Sequence, residues 1–232
     1  MSVATTIGIA AAAAAFGALI SPLAAKAIRE TPPDPDDDPA PVPRVGPWLE
    51  QTRLLPVLLA LVAAGVAMST GLQWVVAAHV VAAVGLVTLS VIDLDLFLLP
   101  KRIVYPTLFA TGALMALAAI AGDDGSSFRR AVISGFAGFG ALLVLHVISP
   151  AGMGFGDVRL AGLIGLDLGW LGARQVMVGI FSGFVFAATV GVALLITRRR
   201  KTRDAVPFGP FLALGTLFIL FGGDHLLGLA RQ

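Results

Sequence analysis

The feature that most restricts this chain is a succession of apolar stretches, near residues 4–25, 54–69, 72–92, 103–121, 131–149, 159–172, 175–197 and 206–222, separated by short polar connectors. Most approach the ~20 residues that a helix rising 1.5 Å per residue needs to cross a ~30 Å hydrocarbon layer. Backbone N–H and C=O groups in lipid must be paired inside the segment, which points runs of this length to helices. The expected fold is all-α, a polytopic membrane helix bundle with about eight transmembrane helices. Charge usage agrees: 13% of residues are charged, against about 25% in ordinary globular chains. Two stretches, 54–69 and 159–172, are short. The second is rich in glycine and contains Asp167, so a broken or partly re-entrant segment is expected there. Repeated small residues, as in Gly135-Phe136-Ala137-Gly138-Phe139-Gly140, suit close helix packing in lipid better than a nucleotide-binding loop.

Three parts are expected: residues 1–29 as an N-terminal transmembrane helix, 30–50 as a Pro/Asp-rich cytoplasmic loop, and 51–232 as the functional membrane domain. The first apolar run has no Lys or Arg before Lys26. A signal peptide carries its positive charge ahead of the apolar core, so a retained helix with its N-terminus outside is the better reading. Across the remaining connectors this orientation puts twelve Lys and Arg inside, Arg159 among them, and leaves Arg129, Arg130, Arg174 and Arg231 outside. That bias has the sign expected for cytoplasmic loops.

Composition also excludes some classes. The net charge is +2 with no basic patch carrying interleaved aromatics, so no nucleic-acid partner is expected. The chain has no cysteine, which removes disulfides and thiolate zinc sites together. His79, His146 and His225 are scattered along the chain and read as packed or interfacial residues. No metal and no cofactor are expected.

The chemistry concentrates in Gly152-Met153-Gly154-Phe155-Gly156-Asp157-Val158-Arg159-Leu160, three glycines and a carboxylate within apolar sequence. An aspartate beside hydrocarbon is costly enough to be a functional hypothesis by default. Its best partner is Asp93, in Ile92-Asp93-Leu94-Asp95-Leu96-Phe97-Leu98-Leu99-Pro100. Asp93 closes the third apolar stretch and Asp157 opens the sixth, so the expected topology brings both to the cytoplasmic side. Asp95, two residues along a helix from Asp93, faces elsewhere and reads as a water-facing interfacial acid. Asp167 and Asp224 are not assigned to the site.

These two runs, with Pro207-Phe208-Gly209-Pro210-Phe211 near the end, resemble the type IV prepilin peptidases over about residues 55 to 220. That family consists of polytopic membrane aspartyl proteases of the G-x-G-D kind. The resemblance places its two catalytic aspartates on Asp93 and Asp157, and makes 51–232 a membrane aspartyl peptidase domain. It implies cleavage, at the cytoplasmic face of the cell membrane, of the short basic leader preceding the first apolar helix of a prepilin or pseudopilin precursor. Many members also carry two Cys-x-x-Cys pairs in a cytoplasmic loop and methylate the new N-terminus. The chain has no cysteine for such a loop, so cleavage without methylation is expected.

Hydrolysis by two carboxyls needs one to deprotonate water and the other to protonate the carbonyl oxygen or leaving nitrogen. Like charges at close range push a pair's apparent pKa values apart, which lets two aspartates share one proton. Gly154 and Gly156, without side chains, would let a substrate strand approach the backbone beside Asp157. Pro100, which lacks an amide donor and holds Leu99 extended, should separate the Asp93 helix from the next span. The rival class is a small transporter or channel with Asp93, Asp157 and Asp167 along an ion path. It predicts acids near mid-membrane and internal repeats, whereas the firmest acids here sit at helix ends. A Mg²⁺ or Ca²⁺ site lacks enough clustered oxygen ligands.

Overall fold

The computed structural model describes residues 3–30, 54–70, 73–150, 152–197, 207–223 and 228. Among the described residues there are eight α-helices and no strand: α1 (Val3–Glu30), α2 (Leu54–Thr70), α3 (Val76–Leu96), α4 (Lys101–Gly122), α5 (Gly125–Ile148), α6 (Phe155–Leu171), α7 (Ala173–Ile196) and α8 (Gly209–Phe218). The last continues into a π-helical turn, Ile219–Gly223. The all-α expectation holds, and the helices follow the apolar stretches closely. Five of them, α1, α3, α4, α5 and α7, are long and apolar enough to cross a membrane, while α2 and α8 are shorter. The count of about eight spans is thus a looser statement than the count of helices. Residues 31–50 of the Pro/Asp-rich segment, the 198–206 connector, Asp224 and His225 lie outside the described residues, as does the side chain of Asp95.

α6 is the axis of the bundle. Every residue from Gly156 to Leu171 is buried, which is what a helix apolar on all sides requires. The break expected within 159–172 is thereby corrected: the helix is continuous from Phe155 to Leu171. Its glycines give the neighbours room instead of breaking it. α5 is its main neighbour, with α3, α4, α7 and α8 completing the surround. A Cβ at Gly138 of α5 would lie 2.7 Å from the Ala161 carbonyl oxygen, and one at Gly169 of α6 would lie 2.6 Å from Ser134 Cβ. The two backbones can approach this closely only because those methyl groups are absent.

The helix ends are finished by side chains. Asp124 caps α5, accepting a hydrogen bond from the Ser127 amide at 3.1 Å. Arg130, one turn on, donates from Nε to the Gly169 carbonyl at 3.0 Å and from Nη2 to the Trp170 carbonyl. These acceptors belong to the last turn of α6, where carbonyls lack intrahelical partners and the dipole favours a cation. At the far end of α3, Phe97 takes a left-handed conformation with φ 55° and donates its N–H to the Asp93 carbonyl at 2.9 Å. Pro100 then stands extended as the N-cap of α4. The Leu98–Pro100 link follows from these two residues, and Pro100 acts as the sequence predicts.

Candidate active site

Asp93 lies in the last turn of α3 and Asp157 in the first turn of α6. They are 64 residues apart in sequence, yet both line one cavity of about 320 Å³, together with Phe97, Leu99, His146, Met153, Gly154 and Gly156. Asp93 is 5% exposed and Asp157 7%. Two carboxyls in one low-dielectric recess bear on each other's charge.

Each acid is held differently. Asp93 Oδ2 accepts a hydrogen bond from the Gly209 amide at 2.9 Å, a donor at the first residue of α8. Helix N-terminal amides have no intrahelical acceptor and favour negative charge, so α8 orients this carboxylate. A Cβ at residue 209 would lie 2.8 Å from that same oxygen. Glycine is needed there for the approach. Asp157 has its backbone N–H on the Gly154 carbonyl at 3.1 Å, a turn that starts α6 with the carboxyl directed to the cavity wall.

The two glycines beside Asp157 have different surroundings. A Cβ at Gly156 would lie 2.8 Å from Leu99 Cβ, whereas at Gly154 the nearest atom is Asp157 Oδ2 at 3.6 Å. Gly156 brings the α6 start against the α3–α4 link; at Gly154 a Cβ would sit in ordinary contact with the Asp157 carboxyl. His146, in the last turn of α5, donates from Nδ1 to the Met153 carbonyl at 2.7 Å and stands edge-on to Phe155 with centroids 5.6 Å apart. The sequence reading assigned no site role to Gly209, His146 or Phe97. Gly209 and Phe97 stood within recognised motifs without a role of their own, and His146 gave no signal, because what unites them is tertiary proximity.

Asp167 is elsewhere. It is fully buried and accepts a hydrogen bond from Nδ1 of His79, also fully buried, at 2.8 Å. This pair joins the first turn of α3 to the last third of α6, the opposite end of the same two helices. Arg159 corrects the charge count. It is not a loop cation but a buried residue in the first turns of α6, with its guanidinium carbon 4.7 Å from the Phe155 ring centroid and 6.0 Å from that of Tyr105. Removing it from the twelve leaves eleven against four, so the bias keeps its sign.

The sequence profile described as the type IV leader peptidase family matches residues 80–192. The chain belongs to that family. Among curated relatives it is similar to proteins named prepilin leader peptidase/N-methyltransferase. The one from Aeromonas hydrophila is 33% identical over 75% of this chain and 59% of its own length. The corresponding proteins of Bacillus subtilis and Pseudomonas aeruginosa are 30% and 29% identical, covering 61% and 75% of this chain and 54% and 59% of their own lengths. This member of the family thus spans less than two thirds of those relatives. No solved structure matches it significantly. Asp93, His146 and Asp157 fall inside the leader peptidase match, while His79 and Gly209 fall outside it.

Proposed function

We propose that this protein is a membrane-embedded aspartyl endopeptidase that removes the leader from type IV prepilin or pseudopilin precursors at the cytoplasmic face of the cell membrane, without N-methylation. One observation carries the reading. Two aspartates on separate helices line a single cavity, inside a chain similar to relatives named for prepilin leader cleavage.

In this mechanism one carboxylate takes a proton from water as its oxygen attacks the scissile carbonyl, and the other, protonated, gives its proton to the carbonyl oxygen. Collapse of the tetrahedral intermediate breaks the C–N bond: the leaving nitrogen takes a proton from the first acid, and the second carboxylate takes back the proton of the carbonyl oxygen as the C=O reforms. The Gly209 amide holds Asp93 by one oxygen and leaves the other for water. The cavity wall at Gly154, which carries no side chain, admits an extended substrate strand beside Asp157, and Gly156 thins the wall at Leu99. The apolar helix that follows the leader would remain in lipid beside the bundle, so the substrate is a membrane segment with a basic, extended end. The remaining Lys and Arg bias supports the cytoplasmic side. The absence of cysteine supports cleavage without the methyl transfer that the relatives' names include.

Purified protein in detergent, incubated with candidate precursors and followed by intact-mass and N-terminal analysis, should yield a leader-less, unmethylated product. No cleavage of any precursor, or cleavage by Asp93→Asn or Asp157→Asn, would sink the proposal. Labelling of a Lys101→Cys variant from outside intact cells by an impermeant thiol reagent would reverse the assigned side.

A further inference from the structure

Besides the candidate active site, a second recess lies where α4, α5 and α6 meet. It has a volume of about 320 Å³ and is lined by Tyr105, Leu108, Val132, Phe136, Phe139 and Arg159, among others. Its wall is apolar except at the Arg159 end. Arg159 is 8% exposed, and its Nε and Nη1 have no hydrogen-bond acceptor among the described residues. The aromatic faces of Phe155 and Tyr105 offer partial compensation. They do not accept the N–H groups in the fork geometry that guanidinium presents. A buried cation with two unmet donors at the end of an apolar groove is complementary to an anion attached to hydrocarbon.

We propose that this groove binds one anionic phospholipid, with the phosphate on the Arg159 guanidinium and one acyl chain along Leu108, Val132 and Phe136. The Arg159 cation selects an amphiphile with an anionic end over an apolar transmembrane segment, which would leave the guanidinium donors unmet. Charge selects the headgroup: a phosphate accepts charge-assisted N–H bonds from guanidinium, and a zwitterionic headgroup sets its own cation against the same site. The position follows from the fold. Arg159 is in the first turns of α6, near the end of the bundle where Asp157 lies, as a headgroup at the membrane surface requires.

The test is native mass spectrometry of the full chain, released from detergent containing equal amounts of phosphatidylglycerol and phosphatidylcholine. One phosphatidylglycerol should be retained in preference to phosphatidylcholine. Arg159→Gln should reduce that preference about tenfold, the worth of one charged hydrogen bond, and Arg159→Lys should restore part of it. Val132→Trp fills the groove without touching the cation and should also lower retention, which keeps the proposal testable if Arg159→Gln fails to fold. Equal retention of both lipids, or unchanged preference in Arg159→Gln, would overturn it. Displacement of the lipid by inorganic phosphate alone would show an anion site with no use for the groove, and would overturn the acyl assignment. Retention of a transmembrane peptide in place of lipid would overturn the choice of occupant.

Discussion

The two ends of the α3/α6 pair solve the same problem in opposite ways. At one end Asp167 and His79 are buried together, and the carboxylate oxygen meets an imidazole N–H at 2.8 Å. At the other, Asp93 and Asp157 are nearly as deeply buried but line a cavity, and the neighbour of each is another acid. A carboxyl held by a buried hydrogen-bond partner is consumed by structure. One beside a like charge, with space for water and substrate, keeps its proton chemistry available. Burial alone does not distinguish them, so exposure is a poor guide to which acid in an apolar bundle reacts.

The sharpest way to break this contrast is at the cavity. Asp93→Asn and Asp157→Asn should each lower leader cleavage by roughly 10³-fold or more, within the range of a lost acid or base. The double variant should be little worse than either, because residues that act as a unit are not additive. Thermal unfolding should be unchanged or raised, since a buried charge with a like-charged neighbour is removed. Retained cleavage in either single variant would place the chemistry elsewhere.

The sealed pair should answer in the other currency, stability. Asp167→Leu leaves His79 without an acceptor and should cost about 3 kcal/mol, as when one partner of a buried pair is lost. His79→Leu combined with Asp167→Leu should recover much of that cost. Cleavage per folded molecule, measured at low temperature, should change little in all of them. If Asp167→Leu abolished cleavage while leaving thermal unfolding intact, the two ends would not be separate in function.

A smaller effect tests what orients the cavity acids. Gly209→Ala puts a methyl group against Asp93 Oδ2 and 3.2 Å from Leu99 Cδ2. Displacing the carboxylate should cut cleavage by about 10²-fold, the scale of a 1 Å misplacement, with a lesser loss of stability. Restoration of activity by any other small residue would argue against the close-approach role. At the bottom of the scale, Gly140 touches neither region, and a Cβ there meets nothing within 4 Å. Gly140→Ala should raise stability by about 0.5–1 kcal/mol, from the backbone entropy that glycine loses in a helix, and leave cleavage unaltered.

How much was legible in the sequence follows the range of the forces involved. Apolar run length determined the helices, because in lipid each segment must satisfy its own backbone and does so within a few residues. Spacing along the chain likewise placed Asp93 at the close of one helix and Asp157 at the start of another, and a motif resemblance joined them. The glycine spacing in α5 announced close packing, although it did not say that α6 was the partner. What tertiary structure alone decided was the company each charged residue keeps. Asp167 looked like an interruption in an apolar segment until His79, 88 residues away, supplied a donor and allowed α6 to run unbroken. Arg159 looked like a loop cation until the buried start of α6 enclosed it. Gly209 stood in a motif with no stated role until the start of α8 arrived at Asp93. A helix forms from local hydrogen bonds, so its sequence determines it; a charge in an apolar bundle is tolerated or made reactive by what lies across the interface, and only the packed chain brings that neighbour within reach.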